Sequence, residues 1–449
     1  MFCVDVNLLP VTIFVTAKIR CGILFSSGME YSLYFHIPFC THRCAYCDFN
    51  TYARQEDSIP VYVDALCQEI EFVGESVRRG DWPVAPTIHT IFFGGGTPSL
   101  LSPKQFKKIL KTMREHFKLI ENVEITTEAN PGTVSFDDLK KLRALGINRI
   151  SFGVQSANPE ELRMLERIHN FFDVIDAVKW ARKAGFDNLN LDLIYGLPEQ
   201  TLTSWRATVQ RILDLHPEHI SAYALTLEHG APFGRWSARG LLPIPDPDLA
   251  ADMYEWASEA FESAGFDQYE ISNWAIGGGP QIGDRGSPST VYSPPSRACR
   301  HNLQYWRGLP YLGFGAGAHG YANGYRYSNV LRIKTYIERL NTDYRSLITD
   351  FPLSPAAVNQ HRQSVGDDMS EYMMTGLRLT REGIAASAFR QRFGRELSEV
   401  YSKEISDLIH LGLLEWHKET SEESGSSEVL RLTKRGRLLG NQVFMRFIE

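Results

Sequence analysis

No uninterrupted apolar run in this 449-residue chain approaches the ~20 residues that a membrane-crossing helix needs. No integral membrane segment is expected on that ground. A large excess of either charge is also missing. Lys and Arg number 47 against 53 Asp and Glu, a net −6 that offers no general pull toward nucleic acid or anionic lipid. Cysteine is sparse and unpaired in number: there are seven, three of them crowded into one short run. That is not a disulfide framework, so a reducing cytoplasm is the expected home. The crowded run itself lacks a fourth cysteine, which a closed metal site would normally use.

What is present reads as an ordinary globular protein, with 43% apolar and 22% charged residues and length enough for two or three domains. The first 28 residues carry Lys18 and Arg20 inside an apolar stretch, the wrong order for a secretory signal. They are expected to be a dispensable extension, with Met29 as the true start. From Tyr31 to about Glu228, β-branched runs alternate with amphipathic stretches. Strands are expected at Leu33–Ile37, Thr90–Phe93, Val123–Thr127, Arg149–Val154, Leu189–Ile194 and Ile220–Leu225, with helices between them. Two of those helices, after Ser102-Pro103 and Ser135, open on recognisable caps. Successive βα units imply an α/β fold with a parallel sheet, whose ligands gather at the strands' C-terminal ends.

Gly277–Ser296 is rich in Gly, Pro and Ser and reads as a flexible surface insertion. Beyond Leu331 the chain is mostly helical, and Leu397–Leu411, Leu413–Trp416 and Val429–Leu432 suggest a winged-helix-like module. Its Glu415–Glu428 stretch is acid-rich, which favours packing or a lid over nucleic-acid contact. The expected plan is an extension (1–28), a core (29–276), the insertion (277–297), a motif-bearing segment (298–330) and a C-terminal domain (331–449).

The chemistry starts at Cys40, Cys44 and Cys47, spaced C-x3-C-x2-C just after the first strand. Three thiolates on a four-iron cluster would leave one iron open, whereas a zinc knuckle completed by His36 or His42 would be closed. With Tyr46 before the last cysteine, the run resembles the radical S-adenosylmethionine (SAM) superfamily. That likeness implies a partly open (β/α)6 barrel and a [4Fe-4S] cluster whose free iron binds SAM. It also implies an electron donor for the cluster, which splits SAM into methionine and a 5′-deoxyadenosyl radical.

Gly94-Gly95-Gly96-Thr97-Pro98 follows the second strand and lets backbone approach a ligand closely. Glu128, Gln155 and Asp192 end or interrupt the third, fourth and fifth strands, and Arg167 follows. Polar groups there need partners or a cavity. Ion pairs inside the barrel, such as Arg167 with Glu128, would satisfy them, and so would a polar ring around SAM.

These segments, with Tyr34-Phe-His-Ile-Pro-Phe-Cys and Asp-Leu-Ile-Tyr-Gly-Leu-Pro, resemble the oxygen-independent coproporphyrinogen III oxidase family from about residue 30 onward. The resemblance implies Tyr34 beside the cluster and Gly95, Gly96 and Thr97 at the methionine end of SAM. Glu128, Gln155, Arg167 and Asp192 would hold the remainder, with Ala224 near the adenosyl group.

Decarboxylating members have a fourth cysteine where this chain has Phe49, and a longer N-terminal segment that encloses substrate. His301-Asn-Leu-Gln-Tyr305-Trp306 is instead similar to the His-Asn-x-x-Tyr-Trp signature of the HemW branch, regarded as haem chaperones. That likeness implies a carrier passing haem to an acceptor protein, with His301 as ligand and Cys299 or His319 nearby. Radical decarboxylation of coproporphyrinogen III is the alternative. A homodimer stays open.

Overall fold

A computed structural model describes residues 30–79, 86–277, 292–341, 354–421 and 425–448. The N-terminal extension and residues 278–291 of the Gly/Pro/Ser-rich insertion lie outside the described residues.

Six strands follow one another in chain order: β1 (Glu30–Ile37), β2 (Thr87–Gly95), β3 (Lys118–Ala129), β4 (Arg149–Gln155), β5 (Leu189–Tyr195) and β6 (His219–Ala224). Each pairs in parallel with the next. β6 then pairs antiparallel with β8 (Asn273–Ala275), which pairs with β7 (Asp267–Glu270). On the other side β1 pairs in parallel with β9 (Tyr311–Phe314), which leads through β10 (His319–Ala322) and β11 (Tyr325–Ser328) to β12 (His361–Arg362). The order β12-β11-β10-β9-β1-β2-β3-β4-β5-β6-β8-β7 leaves the barrel open.

The period-2 alternation of the strands divides their side chains. Leu33, Phe35 and Ile37 of β1 are fully buried in the main apolar core. There they meet α1 (Ile59–Arg78), α2 (Pro103–His116) and their successors α3 (Phe136–Ala144), α4 (Phe171–Lys183), α5 (Leu202–Leu213) and α6 (Pro247–Ser263). In α1, Tyr62, Val63, Leu66, Ile70 and Val73 form one buried face, each worth roughly 1.5–3 kcal/mol by burial. α2 starts at a capping box of Ser102 and Gln105 with Pro103 in the first turn, and Ser135 caps α3 by accepting from the Asp138 N–H. The opposite strand faces carry Ser32, Tyr34, Thr90, Glu124, Glu128, Ser151 and Asp192, so the barrel interior is polar.

α7 (Arg300–Trp306) fills one end of that interior. α8 (Ile333–Leu340) joins the barrel core through Ile333 and Tyr336. A second core runs from Met369 to Phe447. It comprises α9 (Val365–Gly376), α10 (Ala386–Phe393), three further helices and the antiparallel sheet of β13 (Ile384–Ala385), β14 (Leu414–Ser421) and β15 (Gly425–Leu432). The single helix expected over Leu397–Leu411 is divided at Tyr401, whose φ −119 and ψ 35 leave the helical region. The winged arrangement otherwise holds, with Arg378 stacked 4.4 Å over Trp306 to join the two cores.

Candidate functional site

At the C-terminal ends of β1–β6 lies a cavity of about 580 Å³, within the range of small-molecule and cofactor sites. Cys40, Cys44, Cys47, Gly95, Gly96, Thr97, Glu128, Gln155, Arg167, Asp192 and Ala224 all line it. These come from six strand ends and the loops after them, and the parallel connection alone brings them together.

The cysteine loop is pinned on both sides. Phe39–Cys40 pairs with Tyr52–Ala53, and Cys47 N–H donates to the Cys44 carbonyl at 3.1 Å. The thiols are all free. Thr97 Oγ1 donates to Cys40 Sγ at 3.6 Å, Arg167 Nη1 lies 3.4 Å from Cys44 Sγ, and Thr51 Oγ1 lies 4.0 Å from Cys47 Sγ. Burial pushes the Cys40 thiol up to about 11 and raises Cys47, so both are held neutral until something positive replaces their protons. Neither candidate fourth zinc ligand is grouped with the thiols as for a single ion. The His36 ring contacts Tyr34 Oη at 3.0 Å and the Asn50 carbonyl at 3.0 Å, and His42 Nε2 bonds Glu166 at 3.1 Å. Among the described residues no three His, Cys, Asp or Glu side chains are grouped as for a single ion. Three soft thiolates on one wall of a roomy cavity suit an iron–sulfur cluster.

The glycine turn explains its own composition. Gly95 sits at φ +111, and a Cβ there would fall 2.5 Å from the His36 ring, while one on Gly96 would fall 2.5 Å from the Phe39 carbonyl oxygen. Only glycine lets this turn lie against the cysteine loop. Gly95 N–H donates to Glu128 Oε2 at 3.1 Å. Burial first, and then the charge of Asp192, pushes the Glu128 carboxyl up to about 8. Burial raises Asp192 too, opposed by hydrogen bonds from Ser151 at 2.7 Å and Asn190 at 2.8 Å. Two buried carboxyls that resist ionising together are matched to a cationic ligand. Gln155 takes φ +69 at a register shift in β4, a strained backbone that turns its side chain into the cavity. Arg167 does not pair with Glu128: its Nη2 donates to the Gly153 carbonyl at 2.7 Å.

Two expected residues lie apart from this set. Tyr34 is not on the cavity wall, and its ring packs on Phe92 at 6.3 Å. His301 is 1% exposed inside the barrel, with Nδ1 bonded to Thr90 Oγ1 at 2.7 Å and Nε2 to Tyr305 Oη at 2.8 Å. Burial pushes this imidazole down to about 3. It is neutral, as a haem ligand must be, but here neither nitrogen has a lone pair free for iron. Its motif partner Trp306 lies under Arg378. Cys299 is buried with Sγ toward Glu124, and His319 does not line the cavity. Sequence reasoning took His42 only as an alternative zinc ligand and missed Arg43, Tyr223 and Glu228 on the wall; only their nearness to the cysteines or to Ala224 signalled them.

Comparison with known proteins agrees with this geometry. The Radical SAM superfamily matches residues 34–212, and the HemN C-terminal domain matches residues 364–439. The chain is similar to the protein named Heme chaperone HemW of Bacillus subtilis, 36% identical over 420 residues that cover 93% of this chain and 99% of the relative. A protein of the same name from Escherichia coli is 38% identical over 290 residues, covering 64% of this chain and 69% of the relative. Among solved structures, coproporphyrinogen III oxidase (HemN) from Escherichia coli superposes with a TM-score of 0.73 at 24% identity, covering 94% of this chain and 90% of that one. That likeness speaks for the fold.

Proposed function

This chain belongs to the HemW family of the radical SAM superfamily, and from that premise we propose that it is a haem chaperone holding a [4Fe-4S] cluster and SAM. Cys40, Cys44 and Cys47 would hold the cluster. Gly95, Gly96 and Thr97 would meet the methionine end of SAM through backbone N–H groups, with Glu128 and Asp192 facing its positive charge. Gln155 and Arg167 would fix the rest, and Ala224 would flank the adenosyl group. When bound, the reduced cluster supplies one electron to SAM. The chain's own part is to orient both groups and to keep water from the cavity floor. Haem is the cargo, passed on to an acceptor protein, and an electron donor serves the cluster. A reducing cytoplasm suits three thiols that must stay unoxidised, and no described helix is long and apolar enough to cross a membrane.

The observation that carries this reading is the convergence of three thiols, a glycine turn and two raised carboxyls on one cavity, in a chain similar almost end to end to a named haem chaperone. Phe49 also stands where the decarboxylating oxidases carry a further cysteine. The test is anaerobic reconstitution, iron and sulfide analysis, and haem titration, followed by incubation of the reduced protein with SAM and coproporphyrinogen III. Four irons and one bound haem per chain, with no protoporphyrinogen formed, is the expected result. Decarboxylated product would favour the oxidase reading, and zinc alone in the purified protein would end both.

A further inference from the structure

We propose that the mouth of the cavity, around His42, is where this chain takes an iron porphyrin, with the His42 imidazole as the axial ligand. The inference rests on the haem-carrier reading and gives that cargo a place. The inner wall of the cavity is claimed by thiols, the glycine turn and carboxyls, but its rim has another character. Phe49 and Ile168 line the same cavity and are 66% and 50% exposed. Single exposed apolar side chains are ordinary, whereas two on the lining of one cavity give it an apolar edge. A porphyrin is an apolar disc with two carboxylates on one edge, and it needs an apolar surface, a nitrogen ligand and a cation.

His42 supplies the nitrogen. Its side chain lies on the rim, 43% exposed, and its Nε2 bond to Glu166 joins two groups that are both in contact with water. With Nε2 held by Glu166, Nδ1 is the nitrogen that would meet a metal, and an exposed pair of this kind lets the ring adjust at little cost. His301 is the opposite case: buried, with both nitrogens bonded to side chains, so that turning to a metal would break buried hydrogen bonds. Glu166 adds a second mark of function. It sits at φ +54, an unfavourable backbone for a non-glycine residue, and its carboxylate thereby reaches His42. A carboxylate accepting from the free nitrogen of a metal-bound imidazole is the usual way to fix the ring. Arg43 supplies the cation. It lines the cavity and makes only long contacts, 3.3 Å to the Cys47 carbonyl and 3.5 Å to that of Phe49, which leaves guanidinium donors for a propionate.

The test is a titration of ferric haem into the anaerobically reconstituted protein with SAM present, read at the Soret and visible bands, with iron and sulfide content measured for every variant. His42→Ala should weaken haem binding at least tenfold and change the ligand-field bands, while folded His301→Ala keeps the wild-type spectrum. Phe49→Glu and Arg43→Gln should weaken binding while the imidazole-ligand spectrum is retained. Wild-type affinity and spectrum in His42→Ala with its cluster in place would overturn the assignment, as would loss of the spectrum in folded His301→Ala alone. Should His42→Ala lose its iron, the other two rim variants decide, and unchanged affinity in both overturns the proposal. Wild-type protein that takes up no haem would instead overturn the carrier reading itself.

Discussion

Glu128 shows how a single side chain joins the fold to its chemistry. It stands at the end of β3, accepts from the Gly95 N–H, and shares the cavity with Asp192. Its carboxyl, pushed up to about 8, is largely protonated at neutral pH in the empty site. A cationic ligand favours the ionised form, so binding must expel that proton. SAM binding is therefore expected to strengthen as pH rises from 6.5 to 8.5 and to release close to one proton near pH 7. Calorimetry in two buffers of different ionisation enthalpy measures this. In Glu128→Gln both the proton release and the pH slope should vanish, with affinity at pH 8.5 reduced about tenfold, or ~1.4 kcal/mol. An unchanged proton count in that variant would remove Glu128 from the site. The cysteines, Gly95, Gly96, Glu128 and Asp192 were legible because each is costly at a strand end without a function. His42 was not, because an exposed histidine beside cysteines reads first as an alternative metal ligand.

Elements carry information that residues do not. Six strands and the helices between them could be placed from alternation and caps, but α7 could not. His-Asn-x-x-Tyr-Trp looks like a ligand motif in sequence, and only the fold reveals that its histidine, tyrosine and tryptophan each have a packing partner. Glu69 is a similar case. Read alone it is an acidic residue in an amphipathic helix, yet it is fully buried and ties three elements together. It accepts from the Gly315 N–H at 2.8 Å, Asn329 Nδ2 at 2.8 Å and Tyr336 Oη at 2.6 Å. Those donors come from the glycine-rich run after β9, the segment after β11, and α8. Glu69→Ala would take this acceptor from all three beside a new void, at a cost of ~3–5 kcal/mol. Urea unfolding of the ligand-free protein should show that loss. Glu69→Gln keeps an acceptor and should lose less than half as much. Equal losses would mean that volume rather than the hydrogen bonds fixes the strut.

At the scale of the molecule, a barrel with a polar interior makes stability depend on pH in two opposed ways. Burial raises the carboxyls of Glu69, Glu128, Asp192 and Glu270. A group whose folded pKa is raised gives stability that is complete below its unfolded value, 4.5 for Glu128, and lost as pH climbs toward 8. Burial lowers the imidazoles of His36, His89, His169, His219 and His301. Their contribution is complete above the unfolded 6.5 and lost as pH falls toward about 4 for His169 and about 3 for His301. Between about 4.5 and 6.5 the two sets oppose each other, above that window only the carboxyls act, and below it only the histidines. The cluster-free, SAM-free protein should therefore melt highest near pH 6 and lower on both sides. Glu128→Gln should flatten the alkaline limb and leave the acid limb alone, whereas His301→Gln should soften the acid limb only. A melting temperature rising steadily from pH 6 to 8 would show that the interior carboxyls are not desolvated, and the case for a cation-seeking cavity would fall with it.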